Sequence, residues 1–219
     1  MTRIILASSS PRRRELLARI GIRFSVVAPP PDITVPAAVG ADLAVQLIAR
    51  HKALSVAREQ PKGTFVLAAD TVVVGPKGIM GKPETAERAR DMLLQLSGCR
   101  HSVLTGICAV AAPDGPEALG VSRSAVRMRA IADGDLEAYV ASGEALDKAG
   151  GYAIQGGGSD FVEAVGGRVD CVVGLDVGMA LRLLAEAGYP MPLPCAADVS
   201  LTARPVRRPL SPLRTAGRV

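Results

Sequence analysis

The first third of the chain alternates between short apolar runs and stretches of helical periodicity. Residues 4–7 are apolar and lead into a polar loop, after which apolar positions recur at helical spacing up to Gly21. This pattern predicts a strand, a loop and a helix. Ser10 suits the N-cap of that helix, and Pro11 suits its first turn because proline has no amide hydrogen to leave unpaired there.

The same reasoning predicts a second strand over 23–27 and a long helix over 41–60. The apolar residues expected on the inner face of this helix are Leu43, Leu47, Ala53 and Leu54. Residues 64–74 form a continuous apolar run that only Asp70 and Thr71 interrupt. Such a run is typical of a buried strand.

The second half of the chain continues the alternation. Thr85 is a suitable N-cap for a helix that ends at Leu96. Two β segments near 100–111 and 118–131 flank Pro113-Asp114-Gly115-Pro116, which is typical of a hairpin. The remaining elements are predicted as a helix over 133–141, two paired strands over 161–165 and 168–173, and a last helix over 177–187.

Strands and helices mixed in this way predict one α/β domain over residues 1–189. From 190 to 219, prolines and arginines dominate without an apolar period. A segment of that composition does not build a core, so it is predicted to be a disordered basic tail.

Composition narrows the class of protein. With 219 residues, 48% of them hydrophobic, the chain has enough apolar material for a sizeable core. Its apolar stretches all end before the roughly 18 residues that a membrane span requires, and the first residues do not form the apolar core of a secretory signal. We therefore expect a cytoplasmic protein without a membrane partner. Four cysteines without a CxxC pair, and two histidines, disfavour a zinc site.

The formal net charge of +5 raises the question of nucleic-acid binding. The excess is concentrated at Arg12-Arg13-Arg14 and in the tail, and the body of the domain is close to neutral. Aromatic residues make up only 3% of the chain, so stacking platforms for single strands are scarce. We expect no nucleic-acid partner, and binding through the basic tail remains the alternative.

The arginines at the start of the first predicted helix oppose the helix dipole, whose positive end prefers acids. An anion would resolve that conflict. The loop Ser8-Ser9-Ser10 also supplies free backbone N–H groups, so phosphate binding there with Arg12 and Arg13 as clamps follows. The alternative is a solvated basic turn.

Asp70 lies within an otherwise apolar predicted strand, where an unpaired carboxylate is costly to bury. It therefore needs either a partner or a chemical role. The alternatives are an ion pair with a neighbouring lysine or arginine, a metal ligand, or a general base.

Two further segments are candidate phosphate or base contacts. Gly81-Lys82-Pro83 fails the Walker A pattern because Pro83 replaces the Ser or Thr that holds magnesium, but Lys82 can still reach a phosphate. The segment 147–158 is rich in glycines that permit close backbone approach, with Lys148 adding charge and Gln155 an amide able to contact a base edge. An exposed lysine and a mobile glycine loop are the alternatives.

Several of these segments occur in the order of one known family. They are Leu6-Ala7-Ser8, Ser10-Pro11-Arg12-Arg13, Glu15-Leu16-Leu17, Ala69-Asp70-Thr71, Gly81-Lys82-Pro83, Leu96-Ser97-Gly98 with His101 and Thr105-Gly106, Asp147-Lys148-Ala149-Gly150 through Gln155-Gly156, and Val173-Gly174-Leu175. Together they resemble the Maf family, nucleoside triphosphate pyrophosphatases once described as septum-formation inhibitors. The resemblance covers about residues 4 to 187.

The resemblance implies an α/β fold in which a two-lobed mixed sheet with flanking helices surrounds a central cleft, as in inosine triphosphatase-like proteins. It also implies a nucleoside triphosphate substrate, Mg²⁺ or Mn²⁺ as cofactor, and a homodimer in many members. Asp70 is implied as proton acceptor and metal ligand, with Lys82 beside it at the catalytic centre. The phosphate contacts implied are Ser8, Arg12, Arg13, Lys52, Lys82 and Lys148.

Arg12, Thr71 and Gln155 together are similar to the branch of the family that hydrolyses dTTP and UTP, which extends to modified pyrimidine nucleotides. Two positions depart from the family. A glutamate usual after the second strand is absent, and only Asp32 remains there as a carboxylate. Asp176 replaces a usual proline and is expected to change the backbone locally. The missing glutamate keeps open the alternative of a nucleotide-binding regulator of septum formation with little hydrolytic activity.

Overall fold

The computed structural model describes residues 3–36 and 38–190. Its sheet contains seven strands: β1 Arg3–Ala7, β2 Ser25–Val27, β3 Thr64–Gly75, β4 Gly78–Met80, β5 Arg100–Ala111, β6 Glu117–Met128 and β7 Val162–Gly166. The order is β2-β1-β3-β5-β6-β7, and β4 pairs with the far end of β3. β1 runs parallel to β2 and β3, and the other pairs are antiparallel. The sheet is therefore mixed, as predicted.

Six α-helices flank the sheet: α1 Pro11–Ala18, α2 Ala41–Ala57, α3 Ala86–Leu96, α4 Asp133–Ala141, α5 Val169–Val173 and α6 Val177–Glu186. Two 3₁₀ helices, Ala149–Gly151 and Gly157–Phe161, lie in the glycine-rich segment. Ser10 occupies the N-cap position of α1 with Pro11 after it, but its side chain makes no capping hydrogen bond. The Thr85 cap is confirmed, since its side chain accepts from the Arg88 N–H of α3.

One hydrophobic core lies between α2 and strands β1, β3 and β5. Two others lie along the long strands β3, β5 and β6. One is formed with α1, α5 and α6 around Leu6, Leu67, Ile107 and Leu181. The other is formed with α3 and α4 around Val73, Leu93, Val103 and Tyr139. β3 and β5 contribute to both cores, and the junction between them falls near the middle of β3. This arrangement confirms the expected α/β fold, with helices around a central cleft.

Close packing of α2 on the sheet depends on Gly106 of β5. A Cβ atom added at Gly106 would lie 2.4 Å from the backbone carbonyl group of Val45, so only glycine fits there. This approach buries a face of small side chains that includes Val45, Ala49 and Ala53. The prediction for Leu43 was wrong: it is 51% exposed, because the helix is rotated to bring its small residues to the sheet.

Two local predictions differ from the structure. Residues 169–173 form α5 rather than a strand, and β7 pairs with β6 instead. The helix is stabilised by Asp170, whose carboxylate accepts from the backbone N–H groups of Cys171 and Val177. β4, three residues long, was not predicted; its antiparallel pairing with β3 follows the turn at 75–78.

No helix in the described ranges has the length and apolar character that crossing a bilayer demands. Apart from Pro190, the predicted tail lies outside the described residues. Its boundary, the cytoplasmic location and the homodimer stay predictions.

Candidate active site

A cleft of ≈ 780 Å³ lies at the junction of the two cores. All nine side chains predicted as site residues line it: Ser8, Arg12, Arg13, Lys52, Asp70, Thr71, Lys82, Lys148 and Gln155. They come from the β1–α1 loop, α1, α2, β3 and two loops beyond β3. The fold thus gathers segments far apart in sequence into one polar pocket.

Asp70 lies near the middle of β3, opposite Gly106 of β5. It is 9% exposed, and its Oδ1 lies 2.7 Å from the Lys52 Nζ of α2, which is 7% exposed. The charge of the buried carboxylate is therefore balanced by a buried ammonium. This ion pair is one of the alternatives that the sequence analysis gave for Asp70. Both residues of the pair line the cleft, so the carboxylate borders the space for a ligand.

A second carboxylate shares the same ammonium. Asp32, in the extended segment after β2, has its Oδ1 2.8 Å from Lys52 Nζ, and half of its side chain is exposed. From the sequence, Asp32 is identified only as the carboxylate that remains after the second strand, where the resemblance implies a glutamate. The structure places it in the cleft together with Asp70.

These two carboxylates decide whether the site fits a divalent cation. Mg²⁺ in phosphate-transfer sites is held by one or two carboxylates together with waters and substrate phosphates. Asp32 and Asp70 supply such a donor set. Within the described part of the chain, no group of three His, Cys, Asp or Glu side chains forms a complete metal site. The residues therefore fit Mg²⁺ or Mn²⁺, with phosphate oxygens of a ligand completing the coordination of the ion.

The loop before α1 is folded by Ser8, which is buried and accepts from the Ser10 backbone N–H at 3.1 Å. Of the three consecutive arginines that follow, Arg12 and Arg13 line the cleft, whereas Arg14 is exposed. The positive end of α1 and two guanidinium groups thus face the same space, which is an arrangement that binds anions.

Arg13 is the most firmly held of these cations. Its Nε donates to the Gly174 carbonyl at 2.8 Å, and its NH2 group donates to Thr71 Oγ1 at 3.2 Å. Burial lowers the pKa of its guanidinium, and the nearby Asp70 charge acts in the opposite direction. An arginine remains charged at neutral pH, so Arg13 presents a fixed positive charge near Asp70.

Two loops bring lysines to the opposite wall. The Gly150 backbone N–H donates to the Gly81 carbonyl at 3.0 Å, which holds the Lys148 loop against the Lys82 loop. Gly150 has φ +71°, and a Cβ there would lie 2.9 Å from Val73 Cγ2. Lys82 is exposed, and Lys148 forms an ion pair with Asp147. Both ammonium groups border the cleft.

Gln155, within the glycine-rich segment, has an exposed side chain on the cleft wall. Tyr152 also lines the cleft, and its hydroxyl lies 2.7 Å from the Nε2 of the buried His101. Sequence reasoning assigned no role to Tyr152 or to Glu84. Glu84 has φ +64°, which is unusual for a residue with a side chain, and it borders the cleft beside Lys82. No periodicity marks either residue.

The lining of this open pocket combines five positive side chains with four carboxylates, those of Asp32, Asp70, Glu84 and Asp147. Four positive side chains from three segments point to a ligand with several negative charges, such as a polyphosphate. The described cleft lining contains no histidine or cysteine that could attack phosphorus as a nucleophile. Chemistry there would therefore depend on positioning, charge stabilisation and a carboxylate able to accept a proton.

Comparisons with known proteins agree with this chemistry. Residues 3–187 match the model of the family described as "Maf-like protein". A dTTP/UTP pyrophosphatase of Myxococcus xanthus (strain DK1622) is 48% identical over 191 residues, covering 87% of this chain and 95% of the relative. One of Moorella thermoacetica (strain ATCC 39073 / JCM 9320) is 43% identical over 188 residues, covering 86% and 96% respectively. Among solved structures, the Staphylococcus aureus Ham1 protein has a TM-score of 0.40 and 17% identity, covering 58% of this chain and 72% of that chain.

Proposed function

Because the chain belongs to the Maf family, we propose that it is a nucleoside triphosphate pyrophosphatase that hydrolyses dTTP and UTP to the monophosphate and pyrophosphate. The observation that carries the proposal is the convergence, in one cleft, of Asp70 with cations from α1, α2 and two separate loops. Relatives that share 43–48% of their residues with this chain bear the name of that activity.

In this proposal the triphosphate lies across the cleft with its phosphates between the arginine loop and the two lysine loops. Arg12 and Arg13 bind from one wall, and Lys82 and Lys148 from the other. Guanidinium groups bind phosphate oxygens with two parallel hydrogen bonds, whereas the ammonium groups act as point charges. The α-phosphorus then lies near Asp70.

Asp70 is proposed to accept a proton from the attacking water. The water oxygen forms a bond to the α-phosphorus, the bond from that phosphorus to the α,β-bridging oxygen breaks, and pyrophosphate leaves. Lys52 holds the Asp70 carboxylate through one oxygen and leaves the other for the water. Mg²⁺ or Mn²⁺ held by Asp32 and Asp70 would supply neutralisation of the phosphate oxygens.

Choice of base is proposed to depend on Arg12, Thr71 and Gln155, all three of which border the cleft. The Gln155 amide has both a donor and an acceptor, as recognition of a pyrimidine edge requires. Modified pyrimidine nucleotides form the proposed wider set of substrates.

The test is a panel of the common ribonucleoside and deoxyribonucleoside triphosphates, with Mg²⁺ or Mn²⁺, scored for released pyrophosphate. We expect dTTP and UTP to be hydrolysed fastest, with equal amounts of monophosphate and pyrophosphate. Tight nucleotide binding without pyrophosphate release would contradict the proposal and favour the regulator. Faster hydrolysis of a purine nucleotide would overturn the proposed base choice alone.

A further inference from the structure

Beneath the cleft, a chain of hydroxyl groups connects Arg13 with α5. We propose that Thr105 of β5 is a positioning residue, which fixes the Arg13 guanidinium for phosphate binding without itself touching the substrate. The inference rests on the proposed function, in which Arg13 is a phosphate ligand. It gives a specific role to a buried hydroxyl that the reaction does not use.

The hydrogen bonds between these hydroxyl groups connect four parts of the sequence that are far apart. Arg13 donates to Thr71 Oγ1 at 3.2 Å, and Thr71 Oγ1 lies 2.9 Å from Thr105 Oγ1. Thr105 Oγ1 in turn donates to the Cys171 carbonyl at 2.8 Å. Thr105 is fully buried, so water does not replace the bond that it donates to the Cys171 carbonyl.

The direction of each bond follows from the number of available protons. Thr105 has one hydroxyl proton, and the Cys171 carbonyl can only accept, so that proton is donated to Cys171. Thr71 must then donate its own proton to Thr105. The Thr71 oxygen is left with lone pairs only, and it uses one of them to accept from Arg13. Hydrogen-bond donation therefore runs in a single direction, from Arg13 through Thr71 and Thr105 to α5.

Both contacts of Arg13 end on the same helix. Its second donor, Nε, reaches the Gly174 carbonyl at the C-cap of α5, and the hydroxyl chain ends at Cys171 within α5. The helix is itself fixed by Asp170, whose backbone carbonyl accepts from the Gly174 N–H and whose carboxylate is paired with Arg168. Arg13 is thus held at two points against one rigid support.

Replacing Thr105 by valine keeps the shape and removes the hydroxyl. The Thr71 proton then loses its acceptor, so the Thr71 hydroxyl is free to rotate and to donate elsewhere. The Thr71 oxygen would then no longer be held in the orientation that accepts from Arg13, and the Gly174 contact alone would be unchanged. Catalysis by positioning is sensitive to such freedom, so the loss should appear in phosphate binding and turnover.

The experiment compares Thr105→Val with Thr105→Ser, which restores the hydroxyl, and with Ser97→Ala. Ser97 lies away from the cleft lining and accepts from the Ile131 N–H, so this control removes one structural hydroxyl elsewhere. For Thr105→Val we expect about a tenfold loss in kcat/KM with UTP and a similar weakening of inorganic pyrophosphate binding by calorimetry. Thr105→Ser should recover most of both, and Ser97→Ala should lower the melting temperature only.

A double-mutant cycle with Arg13→Ala gives the decisive comparison. If Thr105 acts through Arg13, adding Thr105→Val to Arg13→Ala weakens pyrophosphate binding no further. An equal loss in both backgrounds, or unchanged pyrophosphate binding by Thr105→Val alone, would overturn the inference.

The binding readout separates this inference from the proposed function. A wild-type protein that binds pyrophosphate but hydrolyses no triphosphate would refute the proposed function, and the binding cycle would still decide the role of Thr105. A wild-type protein that does not bind pyrophosphate would overturn the inference, because Arg13 would then not be a phosphate ligand.

Discussion

Lys52 Nζ lies 2.7 Å from Asp70 Oδ1, and both side chains are almost completely enclosed. Asp70 is paired in register with Gly106, the position at which α2 makes its closest approach to the sheet. The absence of a side chain at Gly106 therefore brings the helix that carries Lys52 down to the level of the buried acid. Packing of small residues and the electrostatics of the cleft depend on the same contact.

The first prediction concerns the stability of this ion pair. Lys52→Met leaves the Asp70 carboxylate buried without its ammonium partner, so we expect a loss of about 3–5 kcal/mol in the free energy of unfolding. The control is Arg50→Met, which breaks the largely exposed pair with Glu117 and should cost about 0–1 kcal/mol. Urea denaturation measures both. Equal losses would show that the Lys52 pair contributes no more than a surface pair.

The second prediction concerns Asp70 itself. Asp70→Asn preserves the shape of the side chain and removes its ability to accept a proton, so we expect turnover of UTP to fall by at least about a hundredfold. Nucleotide binding should be largely retained, because the cations that bind the phosphates are unchanged. Pyrophosphate release and nucleotide titration test the two parts separately. Retained turnover would exclude Asp70 as the proton acceptor.

The third prediction compares two glycines. Gly106→Ala would place a Cβ 2.4 Å from the Val45 backbone, so α2 must move, and we expect a loss of about 3 kcal/mol or more together with lower activity. Gly134→Ala on α4 meets no atom within 4 Å and should stabilise by about 0.5–1 kcal/mol through helix propensity. Thermal unfolding and UTP hydrolysis of both variants are the measurements. Similar behaviour of the two would refute the close contact.

Much of the fold could be predicted from local signals in the sequence. The apolar run at 64–74, the cap at Thr85 and the hairpin around 113–116 were confirmed, because each is encoded within a few neighbouring residues. Residues 168–173 were wrongly predicted as a strand. The helix there depends on hydrogen bonds that the Asp170 carboxylate accepts from backbone N–H groups, and apolar periodicity does not reveal them.

The candidate site also has a part that could be predicted from the sequence and a part that could not. Side chains of unusual chemistry, such as Asp70 in an apolar strand and the arginines at a helix start, could be recognised in the sequence, and they line the cleft. Their precise catalytic and binding roles stay predictions. The connection from Arg13 through Thr71 and Thr105 to α5 could not be predicted, since its members meet only when strands and helices pack.

The fourth prediction concerns pH and His101. Burial lowers the pKa of its imidazole to about 4, below the value of about 6.5 expected in the unfolded chain. The unfolded state therefore takes up a proton first as the pH falls. The stability contributed by neutral His101 is fully present above about pH 6.5 and is lost as the pH falls towards 4. At pH 4.5 this loss amounts to about 2–3 kcal/mol.

His101→Gln removes this titration and isolates it from the carboxylates. The unfolding free energies of the wild type and His101→Gln are measured in urea at pH 7 and pH 4.5. Between these two pH values the wild type should lose about 2–3 kcal/mol more than the variant. His51→Gln is the matched control, since His51 is the other histidine of the chain. This control should retain the shift that belongs to His101. A difference independent of pH would contradict the lowered pKa.

The last prediction concerns Asp176, at the N-terminus of α6. Its Oδ1 accepts from the Met179 N–H and caps α6, and its Oδ2 accepts from the Ser122 hydroxyl at 2.6 Å. Asp176→Ala removes the cap, breaks the ion pair of Asp176 Oδ1 with Arg168 Nε at 3.0 Å and leaves a buried hydroxyl without an acceptor, so we expect a loss of about 2–4 kcal/mol in urea denaturation. Thr85→Ala, which removes only the exposed cap of α3, should cost about 1 kcal/mol. If the two losses were equal, the contacts of Asp176 with Ser122 and Arg168 would contribute nothing, and capping alone would account for an aspartate at this position.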